Sequence, residues 1–139
     1  MTTVLVVDDD HDIQLLLRLE LQAEGYVVVT ADNGLEALDR IPVVEPDVVL
    51  LDVMMPELDG WGVLEQLDEP KPAVIVISGL ASDRAGHYRN AIELGALGFV
   101  SKPFDSAKLL ELVQLASTLD ATQRVDYRQW LLDGGADAG

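Results

Sequence analysis

Five short apolar runs, near residues 4–7, 26–30, 48–51, 74–77 and 98–101, recur along this chain, and each is separated from the next by a stretch with helical spacing. Four or five Val, Leu and Ile residues bounded by Gly, Pro or Asp are too few for a buried helix and read as strands apolar on both sides. Ile13, Leu16, Leu17 and Leu21 fall at i, i+3, i+4 and i+8, with Gly25 behind them as a helix stop. Asn33-Gly34 opens a second helix, predicted through about Arg40 and ended by Pro42. Val63, Leu64 and Leu67 mark a third that stops before Pro70. Ser82 or Asp83 caps a fourth, with Tyr88, Ala91 and Ile92 inward and Gly95 after it, and Leu109, Leu112, Val113 and Ala116 form the stripe of a fifth.

Parallel strands need crossovers of helix length, and each crossover returns right-handed to the same sheet edge. The expected fold is therefore α/β: a single doubly wound, five-stranded parallel sheet with helices on both faces. At 139 residues the chain suits one domain, here 1–119, followed by a tail over 120–139. Tyr127, Trp130 and Leu131 at i, i+3 and i+4 predict a brief amphipathic helix between 122 and 132, and the Gly-rich end is expected to be disordered.

A formal net charge of −16, with nine Lys and Arg scattered singly, argues against a phosphate-backbone partner, so no nucleic acid is expected to bind directly. No apolar stretch approaches membrane-spanning length and no leader pattern opens the chain; with no cysteine present, a cytoplasmic, membrane-free protein is expected.

In a doubly wound sheet, ligands bind outside the carboxyl ends of the strands. Four of the five runs end there in chemistry: Val4-Leu5-Val6-Val7 in Asp8-Asp9-Asp10, Val48-Val49-Leu50-Leu51 in Asp52, Val74-Ile75-Val76-Ile77 in Ser78, and Phe99-Val100-Ser101 in Lys102. Three carboxylates gathered there repel one another unless a cation neutralises them, and Mg²⁺ takes such hard oxygen ligands. A backbone carbonyl just after Asp52 could complete the protein's share. An aspartate is also a competent nucleophile toward phosphorus, with Lys102 as the cation that balances phosphoryl charge and Ser78 as a hydroxyl donor. The plainer alternatives are that acids after strands cap helices, as Asp10 does well for the first helix, that Phe99 is core, and that His11 and His87 are solvated helix residues.

The acidic pair after Val-Leu-Val-Val, the block Leu-Asp-Val-Met-Met-Pro-Glu-Leu-Asp-Gly, Ser78-Gly79, and Gly-Phe-Val-Ser-Lys-Pro-Phe from Gly98 together resemble the receiver domains of two-component response regulators, in order and in spacing. The likeness covers residues 3 to 118. It implies a flavodoxin-like strand order 2-1-3-4-5 and phosphorylation of Asp52 by a histidine kinase or histidine phosphotransfer protein. It implies Mg²⁺ on Asp8, Asp9, Asp52 and the Met54 main-chain carbonyl. Ser78 and Phe99 would be the switch hydroxyl and aromatic, Lys102 the phosphate clamp, and Lys102-Pro103 a cis peptide. The surface of the fourth helix, fifth strand and fifth helix would change on phosphorylation and meet an unknown downstream protein; the family also allows phosphorylation-dependent dimers. Gly79 stands where the family commonly has Ala, and Met54 and Leu80 are apolar where polar side chains can align an attacking water.

Two other functions use the same residues. A haloacid-dehalogenase-like phosphohydrolase would take Asp8 as nucleophile, with Ser78 and Lys102 following in order, but would leave Asp52 without a task. A pseudo-receiver would keep the fold as a binding module and never take phosphate.

Overall fold

The structure is a computed structural model that describes residues 1–55, 58–68, 71–79 and 84–135, excepting the side chains of residues 84 and 85. Strands β1 (Thr3–Val7), β2 (Val27–Ala31), β3 (Val48–Asp52), β4 (Ala73–Ser78) and β5 (Gly98–Ser101) form one all-parallel sheet in the order β2-β1-β3-β4-β5. Between and after them run α1 (His11–Ala23), α2 (Gly34–Val44), α3 (Gly60–Gln66), α4 (Arg84–Leu94), α5 (Ser106–Thr118) and α6 (Ala121–Leu132).

The period-two alternation of the strands divides the core into two layers. Val4, Val6, Val48, Leu50, Ile75, Ile77 and Val100 face α1 and α5, meeting Leu17, Leu21, Leu109 and Val113. Leu5, Val7, Val49, Leu51, Val74, Val76 and Phe99 face the other way, onto Ala37, Val63, Leu64 and Ala91 of α2, α3 and α4. Because both sheet faces are covered, the strands read as continuous apolar runs.

Three expectations are corrected. The inward stripe of α1 is Gln14, Leu17 and Leu21, while Leu16 is 44% exposed. Helix α2 does not end at Pro42; it runs two residues further, to Val44. Pro42 lies on the exposed side of the last turn, and the Glu45 amide closes the helix on the Ile41 carbonyl at 2.9 Å. His87 is not a solvated residue: it is half-buried, with its ring 6.3 Å from that of Trp61. The proposed Ser82 or Asp83 cap lies outside the described residues. Among those residues, no helix is long and apolar enough to cross a membrane.

Candidate functional site

Parallel pairing brings the carboxyl ends of β1, β3, β4 and β5 to one edge of the sheet. Val7 pairs with Leu51, so Asp8 and Asp52 emerge side by side; Ser78 pairs with Ser101, and the Lys102 amide donates to the Ser78 carbonyl at 2.7 Å. Asp8 and Asp52 are buried, at 2% and 4% exposure, whereas Asp9 is open to solvent. One oxygen from each of these three carboxylates lies within 4.8 Å of the others.

Lys102 closes the cluster. Its Nζ donates to Asp8 Oδ2 at 2.9 Å and to Asp52 Oδ2 at 3.2 Å. The remaining carboxylate oxygens are held by the backbone: Asp8 Oδ1 accepts from the Asp10 amide at 2.9 Å, and Asp52 Oδ1 from the Met54 amide at 3.0 Å. Asp10 itself accepts from the Asp12 and Ile13 amides and caps α1, as its position after the strand predicts. Burial pushes the Asp52 carboxyl above the ordinary carboxylate value; the Asp8 charge adds to the rise, and the Met54 amide and Lys102 oppose it. For Lys102 burial works the other way, but the Asp8 and Asp52 carboxylates outweigh it and hold the ammonium above its usual value.

Asp8, Asp9, Asp52 and Lys102 thus share one pocket. Ser78 is fully buried at the end of the adjacent strand, and Phe99 is buried below Lys102 in the layer that faces α4. The Met54 side chain is 57% exposed beside Asp52. Lys102-Pro103 is a cis peptide. His11 turns from the acids to Asp32, 3.2 Å away. Gly60 is required by close approach, since a Cβ there would collide with the Asp52 carbonyl and Val53.

Sequence reasoning missed Gln14. Its amide donates to the carbonyls of Asp8 at 2.6 Å and Ala31 at 3.3 Å, and to Asp32 Oδ1 at 2.8 Å, tying the ends of β1 and β2 together. The available signal was a polar residue at i, i+3 and i+7 spacing with Leu17 and Leu21, on the face α1 turns inward.

The donors gathered here are carboxylate oxygens only, the set that a small hard cation such as Mg²⁺ takes. A buried nucleophilic carboxylate, a cation platform and an ammonium in one pocket suit phosphoryl chemistry. Residues 4–114 match the family model described as the response regulator receiver domain. The chain belongs to that family. As a receiver domain it has the doubly wound order 2-1-3-4-5 expected of the sequence, and the haloacid-dehalogenase-like alternative falls away.

Chemotaxis protein CheY of Listeria monocytogenes is 36% identical over 118 residues, covering 84% of this chain and 99% of that protein. The alkaline phosphatase synthesis transcriptional regulatory protein PhoP of Bacillus subtilis is 41% identical over 101 residues, covering 73% of this chain and 42% of its own. The chain spans about half or less of the length of the transcriptional regulators it matches. Among solved structures, the Francisella response regulator 1452 receiver domain superposes with a TM-score of 0.78 at 30% identity, over 84% of this chain and 97% of that one. The BeF3-activated N-terminal receiver domain of Klebsiella pneumoniae RstA gives 0.79 at 27% identity, over 85% and 100%.

Proposed function

We propose that this receiver domain is a phosphorylation-activated switch that accepts a phosphoryl group on Asp52 from a histidine kinase or histidine phosphotransfer protein. The observation that carries the reading is the Lys102 ammonium bound to both Asp8 and Asp52, inside the group of three carboxylates. An Asp52 oxygen attacks the phosphorus of a phosphohistidine; the O–P bond forms as the N–P bond breaks, and the leaving imidazole nitrogen takes a proton from solvent. The Met54 amide and Lys102 hold the Asp52 carboxylate in place, and burial keeps bulk water from competing for the phosphoryl group.

Asp8, Asp9 and Asp52, with the Met54 carbonyl, are the residues to hold Mg²⁺, which when bound neutralises phosphoryl oxygen charge. Once the group is attached, its roughly one and a half to two negative charges draw the Lys102 ammonium and the Ser78 hydroxyl toward it. Phe99, one strand position pair below, carries that movement to the face of α4, β5 and α5, where a protein target binds. In this reading the domain is no enzyme toward outside substrates, works in the cytoplasm, binds no nucleic acid directly, and resides on no membrane. Its likeness to the BeF3-activated RstA receiver supports the use of that anion as a phosphoryl mimic here.

Incubation with acetyl phosphate and Mg²⁺, followed by intact-mass measurement, tests the reading. One added phosphoryl group is expected, absent in Asp52→Asn and without Mg²⁺. No gain in mass would leave the chain a pseudo-receiver.

A further inference from the structure

Helix α6 lies beyond residues 4–114 that define the family, yet it is seated on the domain. Asp120 opens it with a capping box to Gln123. Two arginines one turn apart hold it to backbone carbonyls: Arg124 donates to Leu119 at 2.9 Å and Lys71 at 3.0 Å, and Arg128 to Ile92 of α4 at 3.4 Å. Leu131 is its one buried apolar residue, Tyr127 packs partly buried against the cluster that includes Val100, and Val125 and Trp130 stay about half exposed. At its foot a recess of about 520 Å³ remains between Lys71, Pro72, Gly95, Thr122, Arg124 and Arg128. A helix held by one buried leucine, half a tyrosine and a few guanidinium contacts, with open space beneath it, belongs to the low-stability end of a structure.

Strand β5 joins this helix to the pocket. Its four residues lead directly into Lys102; on one side Phe99 sits in the cluster against which Tyr88 of α4 packs, and on the other Val100 sits in the cluster against which Tyr127 packs. Burial, and then Tyr127, holds the Tyr88 phenol above its ordinary value.

We propose that α6 is a strap over α4, matched to the arrangement in which Lys102 bridges Asp8 and Asp52, and that phosphorylation of Asp52 loosens it. The inference rests on the phosphoacceptor reading above. Lys102 leaving that bridge for phosphoryl oxygens displaces β5 and α4, and the carbonyls of Ile92 and Lys71 no longer meet both arginines. By linkage, weakening the strap favours the phosphorylated arrangement to the same degree. The helix is thus the resident occupant of the face a target would need.

Hydrogen exchange of the amides of residues 121–132 in the full chain, with and without saturating Mg²⁺ and BeF3, tests the proposal, with bound fluoride followed by ¹⁹F NMR. The expected results are faster exchange in α6 on binding, and half-saturation at an about fivefold lower BeF3 concentration, or lower still, in Arg124→Gln/Arg128→Gln. A bound-fluoride signal that Asp52→Asn abolishes, accompanied by unchanged or slower α6 exchange, overturns the strap alone. Absence of any bound signal overturns the phosphoacceptor reading and the strap with it.

Discussion

The Lys102 ammonium sits 2.9 Å from Asp8, a residue 94 positions earlier in the chain, and the same ammonium reaches Asp52. This one cation balances two buried carboxylates whose repulsion the fold would otherwise have to bear. Lys102→Met should therefore destabilise the protein at neutral pH by about 1–3 kcal/mol, the cost of leaving buried charges unpaired, and added Mg²⁺ should restore part of it. Urea denaturation with and without Mg²⁺ measures both. The rate of phosphorylation by acetyl phosphate should fall by about a hundredfold, as when one donor to developing charge is removed.

Asp52→Asn should have the opposite effect on stability. A carboxyl whose folded pKa is raised favours its neutral form in the fold, so its stabilising contribution is present at acid pH and is lost as pH rises from the ordinary carboxylate value through the raised one. Without divalent cation, Asp52→Asn should have the higher Tm at neutral pH, and its advantage should vanish at acid pH. Melting curves of both proteins across that range decide the matter; a lower Tm for Asp52→Asn at neutral pH would contradict it.

Gln14→Leu removes three hydrogen bonds at the junction of β1 and β2 and takes the side-chain donor from the buried Asp8 carbonyl, while the Ala31 carbonyl keeps the Asp8 amide, for about 1–3 kcal/mol in chemical denaturation. The Asp32 carboxyl, held below its ordinary value chiefly by Gln14 and also by His11, should move back up in that variant, as NMR titration would read. Asp32 is largely exposed, so the stability it adds above the ordinary carboxylate value, lost as pH falls, is small.

Met54, two residues beyond Asp52, is exposed and apolar, where a polar side chain could orient water toward the acyl phosphate. The Met54→Asn/Leu80→Glu pair should shorten the phospho-Asp52 lifetime by about tenfold or more, modest for a positioned polar group. Loss of the phosphoryl mass over time gives the lifetime; a value of seconds that the two changes leave untouched would reject a screening role.

Much of this was legible because a parallel sheet buried on both faces writes itself as uninterrupted apolar runs, and each run stops where the chain meets water. Asp8, Asp52, Ser78 and Lys102 are conspicuous for that reason: the first three are the first polar side chains beyond such runs, and Lys102 is the first charged one beyond its own. Gln14 was not legible, because its role depends on β2 lying beside β1, a fact no local pattern carries. The two further residues of α2 beyond Pro42 depended on the turn by which the Glu45 amide closes on the Ile41 carbonyl, and the Trp61–His87 contact on α3 and α4 being neighbours on the same sheet face. For α6 the periodicity of Tyr127, Trp130 and Leu131 marked a helix, but its seat on the domain is made by Arg124 and Arg128 reaching main-chain oxygens, which any sequence offers everywhere.

Position 60 shows how far the demands of the pocket extend. Gly60 lies so close to the end of β3 that a single methyl group would displace the backbone on which Asp52 is mounted. Any substitution that puts a carbon on that α-position must rebuild the strand end that carries Asp52, however the charges on the rim are arranged.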